Sequence, residues 1–87
     1  MLDLSRAVIR PAKADAAEIL AIATMQAAAW EIYFTSGLLP DYARPAFTIE
    51  NFAAERAQDL AQVAQAPGRY LTLVAELDGR IIGVANG

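Results

Sequence analysis

The feature that most constrains this chain is Asp78-Gly79, set between two runs of strand-forming residues at 70–77 and 80–86. Asp-Gly is a favoured pair for a two-residue hairpin turn, because both positions of that turn take positive φ. Such a turn sets Leu77 opposite Arg80, Ala75 opposite Ile82, Leu73 opposite Val84 and Leu71 opposite Asn86. One face of the hairpin is then Leu71, Leu73, Ala75, Leu77, Ile82 and Val84, apolar enough to bury against a helix. The other carries Tyr70, Thr72, Val74, Glu76, Ile81, Gly83 and Ala85, too apolar to lie wholly in water. A sheet covered on both sides is expected.

Upstream, the chain reads strand, helix, helix. Residues 1–5 form a lead-in, and 6–10 a short strand closed by Pro11, which lacks the N–H a ladder needs. Asp15 and Glu18 have capping-box spacing for a helix over 15–34. Ile19, Ile22, Gln26, Ala29, Trp30 and Tyr33 recur three or four apart along it, and Gly37 supplies the left-handed stop. Pro40 and Pro45 make residues 38–46 an irregular crossing. Thr48 caps a second helix over 48–66, ended by Pro67-Gly68.

The 87 residues fit one domain. Twenty of the apolar residues are alanine, leaving 29 larger ones for a modest core. The expected class is α/β with helices layered on a mixed sheet, in the order β-α-α-β-β. Its last strand leaves an open edge, which natural proteins usually blunt or cover, so a neighbour is expected there. That neighbour is further polypeptide, a partner subunit or a swapped strand.

Composition removes several kinds of chemistry. With no cysteine there is no disulfide, thiol nucleophile or Cys-ligated metal. With no histidine there is no imidazole base or His-based metal site. Ten acids against seven scattered bases give a net charge of -3 and no basic stripe for a phosphate backbone, so nucleic acid is not expected as a ligand. No apolar run is long enough to span a membrane, and the first ten residues lack the pattern of a signal peptide. A soluble, cytoplasmic protein is the expectation.

Three segments resemble the GNAT family of N-acetyltransferases. They are the opening "VIRPAKADAAEI", the run "AAAWEIYFTSGLLPDY" from Ala27 to Tyr42, and "YLTLVAELDGRIIGVANG" from Tyr70 to Gly87. In that family they form the first strand and helix entry, a Trp…Tyr…Leu-Pro…Tyr join between the first two helices, and the second and third strands. Together they cover nearly the whole chain and correspond to the N-terminal half of an acyl-CoA N-acyltransferase fold. The resemblance implies acetyl transfer from acetyl-CoA to an amine, on a small metabolite or a peptide N-terminus. It further implies that Trp30, Tyr33, Phe34, Leu39, Pro40 and Tyr42 line or support the acceptor pocket.

The family's pyrophosphate loop, Arg/Gln-x-x-Gly-x-Gly/Ala, has no counterpart here. Neither does its fourth-strand glutamate, so no catalytic or cofactor-binding residue is assigned and the chain alone is expected to be inactive. The alternative is a non-catalytic module that dimerises or docks through the open edge. A third reading is a small domain that merely converges on the pattern.

Individual residues also carry plain structural readings. Trp30 and Tyr33 suit core packing as well as a pocket, and Leu39-Pro40 suits a turn. Glu76, Glu31 and Asp41 read as surface charges, while Arg6 and Arg10 frame the first strand. Gly83, in mid-strand, suggests something packed closely over it.

Overall fold

A computed structural model describes residues 4–87. After a short 3-10 turn, Leu4–Arg6, come β1 (Val8–Pro11), α1 (Ala16–Thr35) and a second 3-10 segment, Asp41–Ala46. Then follow α2 (Ile49–Gln65), β2 (Thr72–Leu77) and β3 (Arg80–Asn86). The α/β class and the order β-α-α-β-β are as expected. The sheet order is β1-β2-β3 and both pairings are antiparallel. A parallel strand, which would make the sheet mixed, does not occur among the described residues. Beyond β3 the edge is open.

Helix ends form where the side chains dictate. The Asp15 carboxylate accepts the Glu18 N–H at 2.7 Å, but Glu18 does not return the bond to Asp15 as a capping box would. Its carboxylate accepts from the Lys13 N–H and from Arg10 instead. At the far end Gly37 takes φ +78. The Leu38 N–H bonds Tyr33 O and the Gly37 N–H bonds Phe34 O, so the left-handed stop closes both orphan carbonyls. Thr48 caps α2 by accepting the Asn51 N–H at 3.1 Å.

Between the helices, the irregular crossing expected at 38–46 is partly ordered as the 3-10 segment. Proline's fixed φ suits that conformation at Pro40, its cap, and at Pro45 within it. β1 starts two residues later than expected because residues 4–6 turn, letting Arg6 reach Asp78 at 3.0 Å. Pro11 stays in the strand opposite Leu73, which an edge position permits.

The hairpin departs from expectation in register and in face. The turn forms as read, with φ 51 at Asp78 and 80 at Gly79, and Leu77 lies opposite Arg80. A bulge then leaves Ile82 as the extra residue, so Ala75 faces Gly83, Leu73 faces Ala85 and Leu71 bonds Gly87.

Arg10, opposite Val74, reaches α1, so the helices lie on the face bearing Thr72, Val74 and Glu76. Thr72 and Val74 are accordingly buried. The opposite face keeps Leu71 at 47% and Ile9 at 65% exposure, and no helix of the described residues covers it. Thickness agrees: 21 Å in the thinnest direction holds one sheet and one helix layer at about 10 Å each. Over Gly83 nothing packs tightly, since a Cβ there would meet only the Ala75 side chain at an ordinary 3.6 Å.

The core joins Ile22, Ala23 and Phe34 of α1 to Phe52 and Leu60 of α2 and Val74 of β2, and Leu77, of the face expected to be buried, is buried as well. Tyr33 is not part of it. The inward stripe of α1 ends on Phe34, one residue on, while Tyr33 is turned toward solvent.

Candidate functional site

Aromatic rings gather where α1, the 3-10 segment and α2 meet. Phe47 is their hub, its ring 5.0 Å from Trp30, 5.3 Å from Phe34 and 6.1 Å from Phe52. Trp30 in turn lies 5.2 Å from Tyr33. These tilted and edge-on contacts are the favourable ones for aromatic quadrupoles. Phe47 precedes the Thr48 cap and touches Phe52, the fourth residue of α2, which makes it a hydrophobic staple.

Arg44 fastens the same join from outside. Its guanidinium pairs with Glu31 on α1 and with Asp41 at 3.1 Å, and its carbon centre sits 4.8 Å from the Phe34 ring centroid. The two carboxylates hold Arg44 above its ordinary pKa. Glu31 and Asp41 are therefore not isolated surface charges. They converge on one cation.

Of the six residues expected at an acceptor pocket, the structure brings Trp30, Tyr33 and Phe34 together. Phe34 is buried, Trp30 is half-buried and Tyr33 is partly open to solvent. Leu39 is half-buried, Pro40 is exposed at the cap of the 3-10 segment, and Tyr42 is 87% exposed. An aromatic wall with an exposed rim is present at this join. Phe47 and Arg44 were missed as its members, though Phe47 was legible as the residue just before a helix cap.

A second cluster lies where β1, β2 and α1 meet. Arg10 donates to both Glu18 oxygens at 2.7 and 2.8 Å and to Glu76 at 3.0 Å. Glu18 also accepts the Lys13 N–H at 2.6 Å. The Arg10 bonds, with that backbone bond, hold the Glu18 carboxyl down at about 2. Arg10 is raised above its ordinary value by the same two carboxylates. Arg10 thus does more than frame a strand, and Glu76 is an ion-paired group rather than a solvent-side charge. A carboxylate held by a guanidinium is a poor proton acceptor, so this cluster ties elements together rather than supplying a base.

Next to the cluster runs an open groove of about 1010 Å³ between α1 and β3. Leu20, Ala21, Thr24, Met25 and Ala28 form its helix wall. Ile81 and Ile82 form the strand wall, and none of the six expected pocket residues lines it.

Side chains cap both α-helices: Asp15 accepts the Glu18 N–H and Thr48 accepts the Asn51 N–H. The Asp15 carboxylate disfavours an anion at the N-terminus of α1. Among the described residues, no group of three or more acids could hold a metal ion. No described helix is long and apolar enough to cross a membrane. Compared with family models, with curated proteins and with solved structures, the chain gives no significant match.

Proposed function

We propose that this chain is the acceptor-side part of an N-acetyltransferase domain of the GNAT type, acting on an amine of a small metabolite or a peptide N-terminus. The observation that carries the reading is where the Trp…Tyr…Leu-Pro…Tyr segment falls. It spans the end of α1 and the crossing to α2, above an antiparallel sheet built in the order that the resemblance implies. Trp30 and Phe34 pack against Phe47 as a wall, Tyr33 lies beside Trp30, and Tyr33 and Tyr42 are both exposed.

In this reading the wall holds the acceptor and Arg44 keeps the rim in place. Positioning of that kind turns a two-body encounter into a one-body step. The amides for acetyl-CoA, the oxyanion donors and the base belong to polypeptide outside these residues, joined at the β3 edge. A cytoplasmic location is part of the same proposal.

The test is the coding sequence past Gly87. An Arg/Gln-x-x-Gly-x-Gly/Ala loop following a fourth strand is expected, and the extended chain should bind acetyl-CoA by calorimetry where residues 1–87 do not. A downstream sequence without that loop, or an extended chain that fails to bind, would overturn the proposal.

A further inference from the structure

The rings read as an acceptor wall are only partly open in this structure. Trp30 is half-buried, and Phe34 is 5% exposed. Phe47 meets Phe34 edge-on, and the Arg44 guanidinium lies over the Phe34 ring, 4.8 Å from its centroid. The ring face under Arg44 is open to a ligand only when Arg44 leaves it.

Arg44 belongs to the 3-10 segment Asp41–Ala46, none of whose residues is buried. On the upstream side the Leu38 and Leu39 N–H groups donate to Tyr33 O, next to Gly37 at φ +78. On the downstream side the Asn51 carboxamide donates to the Pro45 and Ala46 carbonyls. Between those anchors, Arg44 makes the only hydrogen bonds or ion pairs to another element among the described residues, through Glu31 of α1. Its other partner, Asp41, lies in the same segment. The Glu31 and Arg44 side chains are 51% and 41% exposed. A pair so exposed gives no more than about a fivefold preference for the closed arrangement, and salt weakens it.

We propose that residues 40–44 form a strap latched by the Arg44–Glu31 pair, and that unlatching uncovers the Phe34 ring for the acceptor. The strap turns between Gly37 and Phe47. Pro40 and Pro45 fix φ at its two ends, so it moves as a unit and carries the Asp41–Arg44 pair with it. The acceptor binds the unlatched population, so the latch sets the apparent affinity of the wall.

The role as a gate rests on reading these rings as the acceptor wall. The latch is measured without acceptor or acetyl-CoA, so the two can fail separately. A strap that never opens leaves the search for the downstream loop intact, and a missing loop leaves the opening measurable.

Proton spectra of the 87-residue protein read the latch directly, because Arg44 side-chain protons held over Phe34 are displaced upfield by the ring. Glu31→Gln, at an exposed position, should keep the melting temperature and lower the closed-to-open ratio about fivefold, moving those signals toward their undisplaced positions. Asp41→Asn removes only the partner within the strap and should leave them in place. Raising sodium chloride from about 20 to about 300 mM should act on the wild type as Glu31→Gln does. Hydrogen exchange at the Ile22 and Ala23 amides of the core should stay the same throughout.

Signals that stay fixed in both Glu31→Gln and high salt would overturn the proposal, as would equal movement in Glu31→Gln and Asp41→Asn. Faster exchange at Ile22 and Ala23 in step with the shift would overturn it too, because α1 rather than the strap would then be loosening.

Discussion

Replacing Glu18 by glutamine measures what ties the first strand to the first helix. The Glu18 side chain is 9% exposed and accepts three bonds, two from Arg10 and one from the Lys13 N–H. Those contacts hold its carboxyl at about 2 rather than 4.5. At ~1.36 kcal/mol per pKa unit, that difference corresponds to a ceiling of ~3.4 kcal/mol. Arg10 keeps contact with water, and screening brings the expected contribution down to about 2 kcal/mol.

The direction with pH follows from the same contacts. The folded pKa lies below the unfolded one, so the stabilisation is complete above about pH 4.5 and is lost as pH falls toward 2. Urea unfolding of wild type and Glu18→Gln, followed by circular dichroism, should give a gap of about 2 kcal/mol at pH 7. By pH 3 the gap should shrink by more than half. A gap below ~0.5 kcal/mol at pH 7 is the size of an ordinary exposed pair and would refute the argument. An equal gap at both pH values would refute it as well.

Three further substitutions probe separate links. Phe47→Ala removes the hub of the ring cluster and should cost about 3 kcal/mol in urea unfolding; a loss under ~1 kcal/mol would mean the rings pack without it. Gly37→Ala should cost about 1 kcal/mol through backbone strain alone, since φ is +78 and the space is open. Gly68→Ala, equally open but without a positive φ, should be close to neutral, and equal costs at the two sites would remove the strain argument. Thr48→Ala should cost about 1 kcal/mol by freeing the Asn51 N–H, with Thr48→Ser retaining most of it.

Local chemistry made much of this fold readable. Asp15, Gly37, Thr48 and Asp78-Gly79 each act through their own backbone or one a few residues away, and each sits where the sequence placed it. The hairpin faces were not readable, because one bulge at Ile82 inverts the register and no residue type announces it. Leu71 and Leu73 looked like the buried face by hydrophobicity alone. The ion cluster chose otherwise, since Arg10 must share a face with Glu76 to meet Glu18 across the layer.

The candidate site divides in the same way. Trp30 followed from helical spacing, whereas Phe34 was expected only through the family resemblance and lies one residue past the stripe that the spacing marked. Arg44 did not, since its partners lie 13 and 3 residues away and only the folded crossing brings them together.

The most direct measurement is a calorimetric titration of acetyl-CoA into two proteins, the 87-residue chain and the same chain extended through its next strand and loop. The account predicts micromolar binding by the extended chain and none by residues 1–87, whose helix N-termini are already capped. Micromolar binding by the 87 residues themselves would contradict it. The cofactor would then rest on groups other than the amides that Asp15 and Thr48 occupy.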